Sequence, residues 1–116
     1  MARYRLSDPA RADIAAILRT SEVKHGAEAR IRYRGLLAAA LRRIAADPQR
    51  LATADRSEFL AGLRSLRIRH CRNDSREAPV AEPVHVIFYR AAPAGIVEML
   101  RVLHERMEPA RHMGSP

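Results

Sequence analysis

The residues of this chain that could take part in chemistry are arginine, histidine and tyrosine side chains in its second half. Seven of them lie in or beside segments with strand-like apolar patterns: Arg67, Arg69, His70, Tyr89, Arg90, Arg101 and His104. If a sheet gathers them, arginine and histidine could hold an RNA phosphate and stabilise charge during attack by a 2′-hydroxyl. The simpler interpretation is a solvated basic face with a tyrosine in the core, because exposed charges contribute little.

Metal and thiol chemistry find little support in the sequence. Of the five histidines, only His85 and His104, on neighbouring predicted strands, could approach each other. No third ligand accompanies them, although protein metal sites need three or four. We therefore predict no metal and no other cofactor. The one cysteine, Cys71, excludes an internal disulfide and lies beside a polar loop, so we interpret it as a structural thiol.

The charge balance indicates an acidic partner. The 116 residues include 21 lysines and arginines against 13 aspartates and glutamates, which gives a formal net charge of +8. Such a surface attracts nucleic acid or an acidic protein segment. No apolar run approaches the ~20 residues of a membrane span, and the N-terminus lacks the apolar stretch of a signal peptide. We therefore expect a cytoplasmic protein with no membrane contact.

The elements in the first half of the chain are signalled clearly. A short strand is predicted at residues 4 to 6. Ser7 is a helix N-cap, followed by an acidic residue and a proline in the first turn. This helix ends at Gly26, and a second amphipathic helix runs from Ala27 to Ala46. Two such helices joined by a glycine turn predict an antiparallel hairpin.

Strand signals dominate the second half. Residues 49 to 62 are expected to hold a short helical turn that directs Phe59 and Leu60 inward. A half-buried strand follows around "LRSLRIRH", where Leu66 and Ile68 alternate with arginines. A polar connection at 71 to 83 leads to a central strand at 84 to 90 that is apolar on both faces.

The last strand is predicted at residues 96 to 103. Its alternation predicts that one face is formed by Val97, Met99, Arg101 and Leu103. The last three strands should pair as an antiparallel meander, with the helices covering one face. We therefore predict an α+β fold: an N-terminal strand and an antiparallel two-helix hairpin packed on a three- to four-stranded antiparallel sheet. A single domain should span residues 1 to 110, with a disordered tail at 111 to 116.

Three stretches together resemble one family. "YRLSDPARADIAAI" resembles the opening strand and helix of the ParE branch of the RelE/ParE type II toxin superfamily. "HVIFYR" resembles its central strand, and "IVEMLRVLHERMEP" its closing strand with the LHxRMD-like end, where Glu108 replaces the usual aspartate. The order and spacing of these stretches, over nearly the whole chain, carry the resemblance.

The resemblance implies a bacterial toxin with one of two activities. ParE members typically poison DNA gyrase and are silenced by a ParD-like antitoxin, whereas RelE members cleave mRNA on the ribosome. The segment after His104 contains no tyrosine or phenylalanine, so the nuclease set is incomplete and the ParE activity is favoured. The connection at 71 to 83 is longer than the family's usual link. A remnant that only binds its antitoxin is a third hypothesis.

The predicted site residues follow from these alternatives. A nuclease would use Arg67, Arg69, Arg90 and His104. A non-catalytic toxin would meet its target or antitoxin through Arg67, Arg69, Tyr89, Arg90, Arg101, His104 and Arg106. An acidic amphipathic helix of the antitoxin would enter an apolar groove formed by Ile14, Leu18, Leu37 and Leu41. The expected partners are a ParD-like antitoxin and DNA gyrase, without sequence-specific contact to nucleic acid.

Overall fold

The computed structural model describes residues 3–50, 52–74, 80 and 83–113. Its helices and strands, in chain order, are β1 (Arg3–Leu6), α1 (Asp8–His25), α2 (Ala27–Ala46), β2 (Ala54–Asp55), β3 (Arg64–Arg67), β4 (His85–Ala91) and β5 (Ile96–His104). Single 3₁₀ turns lie at Ile68–Cys71, Pro93–Gly95 and Pro109–Arg111. The strands form one sheet in the order β1–β5–β4–β3–β2.

The predicted α+β architecture is confirmed. Both helices span the predicted residues, and β3, β4 and β5 form the predicted antiparallel meander. The sheet has five strands instead of three to four. The extra pairings are β1 in parallel with β5, and the two-residue β2 against β3. β3 is shorter than predicted because the chain turns into a 3₁₀ helix at Ile68.

Ser7 connects the start of α1 to the sheet. Its hydroxyl accepts a hydrogen bond from the Ala10 amide at 3.1 Å and donates one to the Leu100 carbonyl at 2.8 Å. The first contact is the predicted N-cap. The second contact gives the Leu100 carbonyl of β5 a hydrogen-bond partner just beyond the point where its pairing with β1 ends. At the other end of α1, Gly26 has φ +94°, a conformation that glycine adopts without strain and that lets the hairpin reverse.

Replacing Ser7 with alanine is expected to lower the free energy of unfolding by about 1–2 kcal/mol, because the cap and the bond to Leu100 are both lost. Urea unfolding of the two proteins measures the difference. Thr20→Ala, an exposed hydroxyl deletion on the same helix, is the matched control and should change stability by less than about 0.5 kcal/mol. Equal effects of the two substitutions would contradict the dual role of Ser7.

The core has two parts, one on each face of the sheet. The main cluster lies between the hairpin and the sheet and includes Leu36, Leu37, Ile44, Leu66, Ile87, Tyr89 and Met99. The second cluster, on the opposite face, consists of Leu63, Val86, Phe88, Leu103 and Met113, with Phe59 and Leu60 packed against it. The prediction that β4 is apolar on both faces is therefore confirmed, as is the inward direction of Phe59 and Leu60.

A bulge in β5 changes the predicted faces of that strand. Phe88 pairs with Arg101, but the next residue, Tyr89, pairs with Met99, so one extra residue is accommodated at Leu100. Such a bulge reverses the alternation beyond it. Val102 therefore joins the main cluster and Leu103 the second one. The prediction that Arg101 and Leu103 share a face with Met99 is wrong for this reason.

The segment after β5 folds back over the second cluster. Met113 is buried there, and the His112 carbonyl accepts a hydrogen bond from Arg101 at 2.8 Å. The described part of the predicted disordered tail is thus packed, and residues 114–116 lie outside the described residues. Much of the connection at 71–83 lies outside them as well. Neither α1 nor α2 combines the length and hydropathy that crossing a bilayer requires.

Candidate partner-binding cleft

A small cleft opens on the face of the second cluster, where β4 begins and β5 ends. Its volume is about 220 Å³, and its walls are Arg56, Ser65, Arg67, Val86, Phe88, His104, Glu105, Met107 and Pro109. The antiparallel register places Arg67 opposite Val86, and Val86 opposite Leu103, which precedes His104. The sheet therefore brings the predicted residues Arg67 and His104 into one cleft.

Arg56 completes the positive lining of the cleft, although no pattern in the sequence points to it. Its guanidinium carbon lies 4.9 Å from the ring centre of Phe59 and 5.8 Å from that of Phe88. Its backbone amide donates to the Leu63 carbonyl at 2.8 Å, which holds the loop against the sheet. The pairing of β2 with β3 sets Arg56 opposite Leu63, and Arg56 reaches the cleft that Arg67 also lines, so no local pattern could have identified it.

The charges at the mouth of the cleft are not all available to a partner. Arg69 donates from Nε to a Glu105 carboxylate oxygen at 3.0 Å, and its Nη2 binds the other oxygen. This bidentate ion pair compensates the charges of both side chains. Arg67 forms no ion pair with any described residue and is exposed. Arg106, also exposed, lies in the turn just after β5.

A row of three neighbouring side chains, formed by Tyr33, His85 and His104, lies where β4 begins and β5 ends. The Tyr33 hydroxyl lies 2.5 Å from Nδ1 of His85, and the His85 and His104 rings are 5.6 Å apart. Burial, followed by the neighbouring His104, lowers the pKa of His85 to about 4, and burial raises the pKa of Tyr33 to about 12. The predicted approach of the two histidines is confirmed. Among the described residues no three potential ligands gather to hold a metal.

Two residues predicted to face a partner have structural contacts instead. Tyr89 is fully buried, its hydroxyl donates to the Pro48 carbonyl, and burial raises its pKa. Arg101 donates from Nε and Nη2 to the Asp13 carboxylate at 2.8 and 2.9 Å, which raises the pKa of its guanidinium. Both groups therefore have partners within the fold, and their contact with another molecule stays a prediction.

Arg90 lies far from the other predicted nuclease residues. It is five residues along β4 from His85, the register partner of His104, which corresponds to about 17 Å of strand. At that end of the sheet Arg90 contacts Glu98 at 3.5 Å, and Arg5 binds the same carboxylate at 3.0 Å. The four residues Arg67, Arg69, Arg90 and His104 therefore do not converge on one point.

The predicted antitoxin groove is not open. Leu18, Leu37 and Leu41 are buried in the main cluster, and Ile14 is partly buried against it. The main apolar stripe of the hairpin packs against the sheet. In the isolated chain these four residues therefore belong to the core, and their binding of an antitoxin helix stays a prediction.

A second and larger depression lies at the C-terminal end of α2. Its volume is about 550 Å³, and it is lined by Ala39, Arg42, Arg43, Ala46, Asp47, Arg50 and Asp74. Arg43 binds Asp74 at 3.0 Å, so its charges are partly compensated. Nearby, Cys71 is buried and its pKa is raised by burial and by Asp74, as a structural thiol requires.

Comparisons with known proteins agree with this architecture, which is the one expected of RelE/ParE toxins. The family model described as "ParE toxin of type II toxin-antitoxin system, parDE" matches residues 4–109. The chain therefore belongs to the ParE toxin family. Among solved structures it is similar to a chain of the chromosomal ParDE toxin–antitoxin system from P. aeruginosa. The two share 17% sequence identity at a TM-score of 0.64, over 90% of this chain and 96% of the other. No significant match was found among curated proteins.

Proposed function

We propose that this ParE toxin acts without catalysis, by binding and inhibiting DNA gyrase in the cytoplasm, and that a ParD-like antitoxin neutralises it. The observation that carries the proposal is the dispersal of the nuclease candidates. Arg90 lies at the far end of β4, and Arg69 is neutralised by Glu105. Arg67 and His104 both line the cleft, where the exposed guanidinium of Arg67 suits recognition of an acidic group.

RNA cleavage demands a stricter arrangement than recognition does. A base, an acid and a stabiliser of the developing charge must all lie within hydrogen-bond reach of the reacting phosphate. In the described part of the cleft, the Nδ1 atom of His104 already accepts a hydrogen bond from the Arg106 amide at 3.0 Å. That nitrogen is therefore occupied, and the ring presents Nε2 as its remaining group.

A supercoiling assay tests the proposal. Purified toxin added to gyrase and relaxed plasmid is expected to stop supercoiling and to leave ribosome-bound mRNA intact. Toxin premixed with a ParD-like antitoxin serves as the control and should leave gyrase active. Normal supercoiling at a large excess of toxin would count against gyrase as the target.

A ribosome-dependent mRNA endoribonuclease is the second candidate function, favoured by the meeting of Arg56, Arg67 and His104 in one cleft. It predicts that toxin cuts mRNA on ribosomes and that the Arg67→Ala/His104→Ala double variant does not. Arg90→Ala, which removes a distant charge of the same kind, is the matched control. Intact mRNA after incubation with the unaltered toxin removes this candidate.

The antitoxin should use apolar side chains that the fold leaves exposed. On the described surface the large ones are Tyr4, Val23, Ile31 and Met107. Val23 is 81% exposed near the end of α1, and Ile31 is 44% exposed near the start of α2. With the formal net charge of +8, these side chains suit an amphipathic segment that also carries carboxylates.

A further inference from the structure

We propose that the cleft is an anchor site for one carboxylate side chain, a glutamate or aspartate, on an acidic segment of a partner protein. The inference rests on the proposed function to the extent that the toxin acts by binding proteins. It goes further by naming the site and the group that the site receives. Four features of the cleft support it, namely its donors, its compensated acid, its size and its apolar walls.

The cleft presents hydrogen-bond donors from different elements to one space. Arg67 on β3 is exposed and free of ion pairs among the described residues. His104 also lines the cleft, but its ring lies beside that of His85, which contacts Tyr33 of α2 on the hairpin side of the sheet, so it is not counted among these donors. Ser65 is 5% exposed, lines the cleft and donates no hydrogen bond to another described residue. Arg56 adds a second guanidinium.

The acid in the cleft wall does not cancel these donors. Glu105 is the only carboxylate among the lining residues, and Arg69 binds both of its oxygens from outside the cleft. The pair is internally neutral, while Arg56 and Arg67 remain as positive charges. Glu58 binds Nε of Arg56 at 3.2 Å but is largely exposed, so water screens this contact. The cleft therefore favours an anion.

Size and shape distinguish a side chain from a nucleotide. At about 220 Å³ the cleft lies below the roughly 300 Å³ at which small-molecule sites begin. Val86, Phe88 and Met107 supply apolar walls that suit the methylene groups of a glutamate. Single-stranded RNA would need an exposed aromatic ring on which a base could stack. Phe88 is only 3% exposed, whereas Met107, at 45%, offers a rim contact to a protein segment.

Peptide binding to the full chain tests the inference. The probe is a fluorescent eight-residue peptide of alternating leucine and glutamate, and its comparison peptide replaces each glutamate with glutamine. We expect binding of the acidic peptide only, weakened about tenfold or more by Arg67→Gln because a charge-assisted hydrogen bond is lost. Arg34→Gln, which removes an exposed charge on α2, is the matched control and should bind as the unaltered chain does.

Several results would overturn the inference. These are equal binding of the glutamine peptide, equal weakening by the Arg34 and Arg67 substitutions, or tighter binding of an oligoribonucleotide that Arg67→Gln abolishes. Circular dichroism of each variant verifies folding, and since Arg67 is exposed we expect no change. Peptide binding without gyrase inhibition would contradict gyrase as the target and support this site. Gyrase inhibition without peptide binding would support gyrase as the target and contradict this site.

Discussion

Replacing Asp13 with alanine is expected to lower the free energy of unfolding by about 3–5 kcal/mol, the cost of breaking a largely buried charge pair from one side. The Asp13 and Arg101 side chains are only 15% and 24% exposed. Removal of the carboxylate leaves the guanidinium without its partner in a poorly solvated position. It also leaves the Val102 amide, which donates to Asp13 at 2.9 Å, without an acceptor.

The size of this effect follows from the place of Asp13 in the fold. β1 ends beside Met99, and from there the edge of β5 has no neighbouring strand. α1 takes over this edge, with Ser7 meeting the Leu100 carbonyl and Asp13 meeting the Val102 amide. The bulge at Leu100 lies at the same point and is held in place by these contacts.

Chemical unfolding at neutral pH measures the Asp13 effect. Glu28→Gln is the control, because Glu28 is 93% exposed and lies 4.0 Å from Arg32, so stability should barely change. The double variant Asp13→Ala/Arg101→Met should recover part of the loss, since no unpaired charge remains. An Asp13→Ala protein as stable as the Glu28 variant would contradict this account of the α1–β5 junction.

Mild acid is expected to destabilise the fold through His85, by roughly 2–3 kcal/mol between pH 7 and pH 4.5. The pKa of this buried ring is about 4 in the folded chain, against an ordinary value of 6.5. Between these two pKa values, His85 is mostly protonated in the unfolded chain and mostly neutral in the folded chain. Stability is therefore complete above pH 6.5 and falls as the pH drops towards 4. The titratable groups that act on it include His104, Glu105 and Asp13, and Tyr33 contacts its ring.

Urea unfolding across this pH range tests the role of His85. His85→Gln, which cannot titrate, should lose most of the pH dependence, even if its stability at pH 7 is lower. His70→Gln, at an exposed histidine, should keep the pH dependence of the unaltered chain. An unchanged slope in the His85 variant would assign the acid sensitivity to other groups.

Local signals predicted the elements of this protein well. The N-cap at Ser7, the stop at Gly26 and the apolar stripe of each helix depend on neighbours within one or two turns. β4 was recognisable because both of its faces are apolar. The alternation of β5 predicted the wrong face for Arg101. The bulge is determined by pairing with β4, and a short apolar pattern does not reveal it.

The binding cleft was predictable only in part. Arg67 was identified on a predicted strand and His104 at the end of another, and the register brings both residues to the cleft. The partners that neutralise Arg69 and Arg101 come from 36 and 88 residues away, so the sequence could not reveal them. Arg56 could not be identified for the same reason, since contacts distant in sequence bring it to the cleft. The apolar residues assigned to a groove could not be told from core residues, because both share the stripe of an amphipathic helix.

The stoichiometry of gyrase inhibition tests most directly the central claim that this toxin binds and does not catalyse. Toxin is titrated against fixed gyrase and plasmid while supercoiling and cleaved DNA are quantified, with ribosome-bound mRNA in a parallel reaction. We predict that inhibition and cleaved DNA rise with added toxin and level off near equivalence with gyrase, and that mRNA stays whole. Active gyrase at toxin excess, together with mRNA cut by far less than one toxin per ribosome, would contradict the claim.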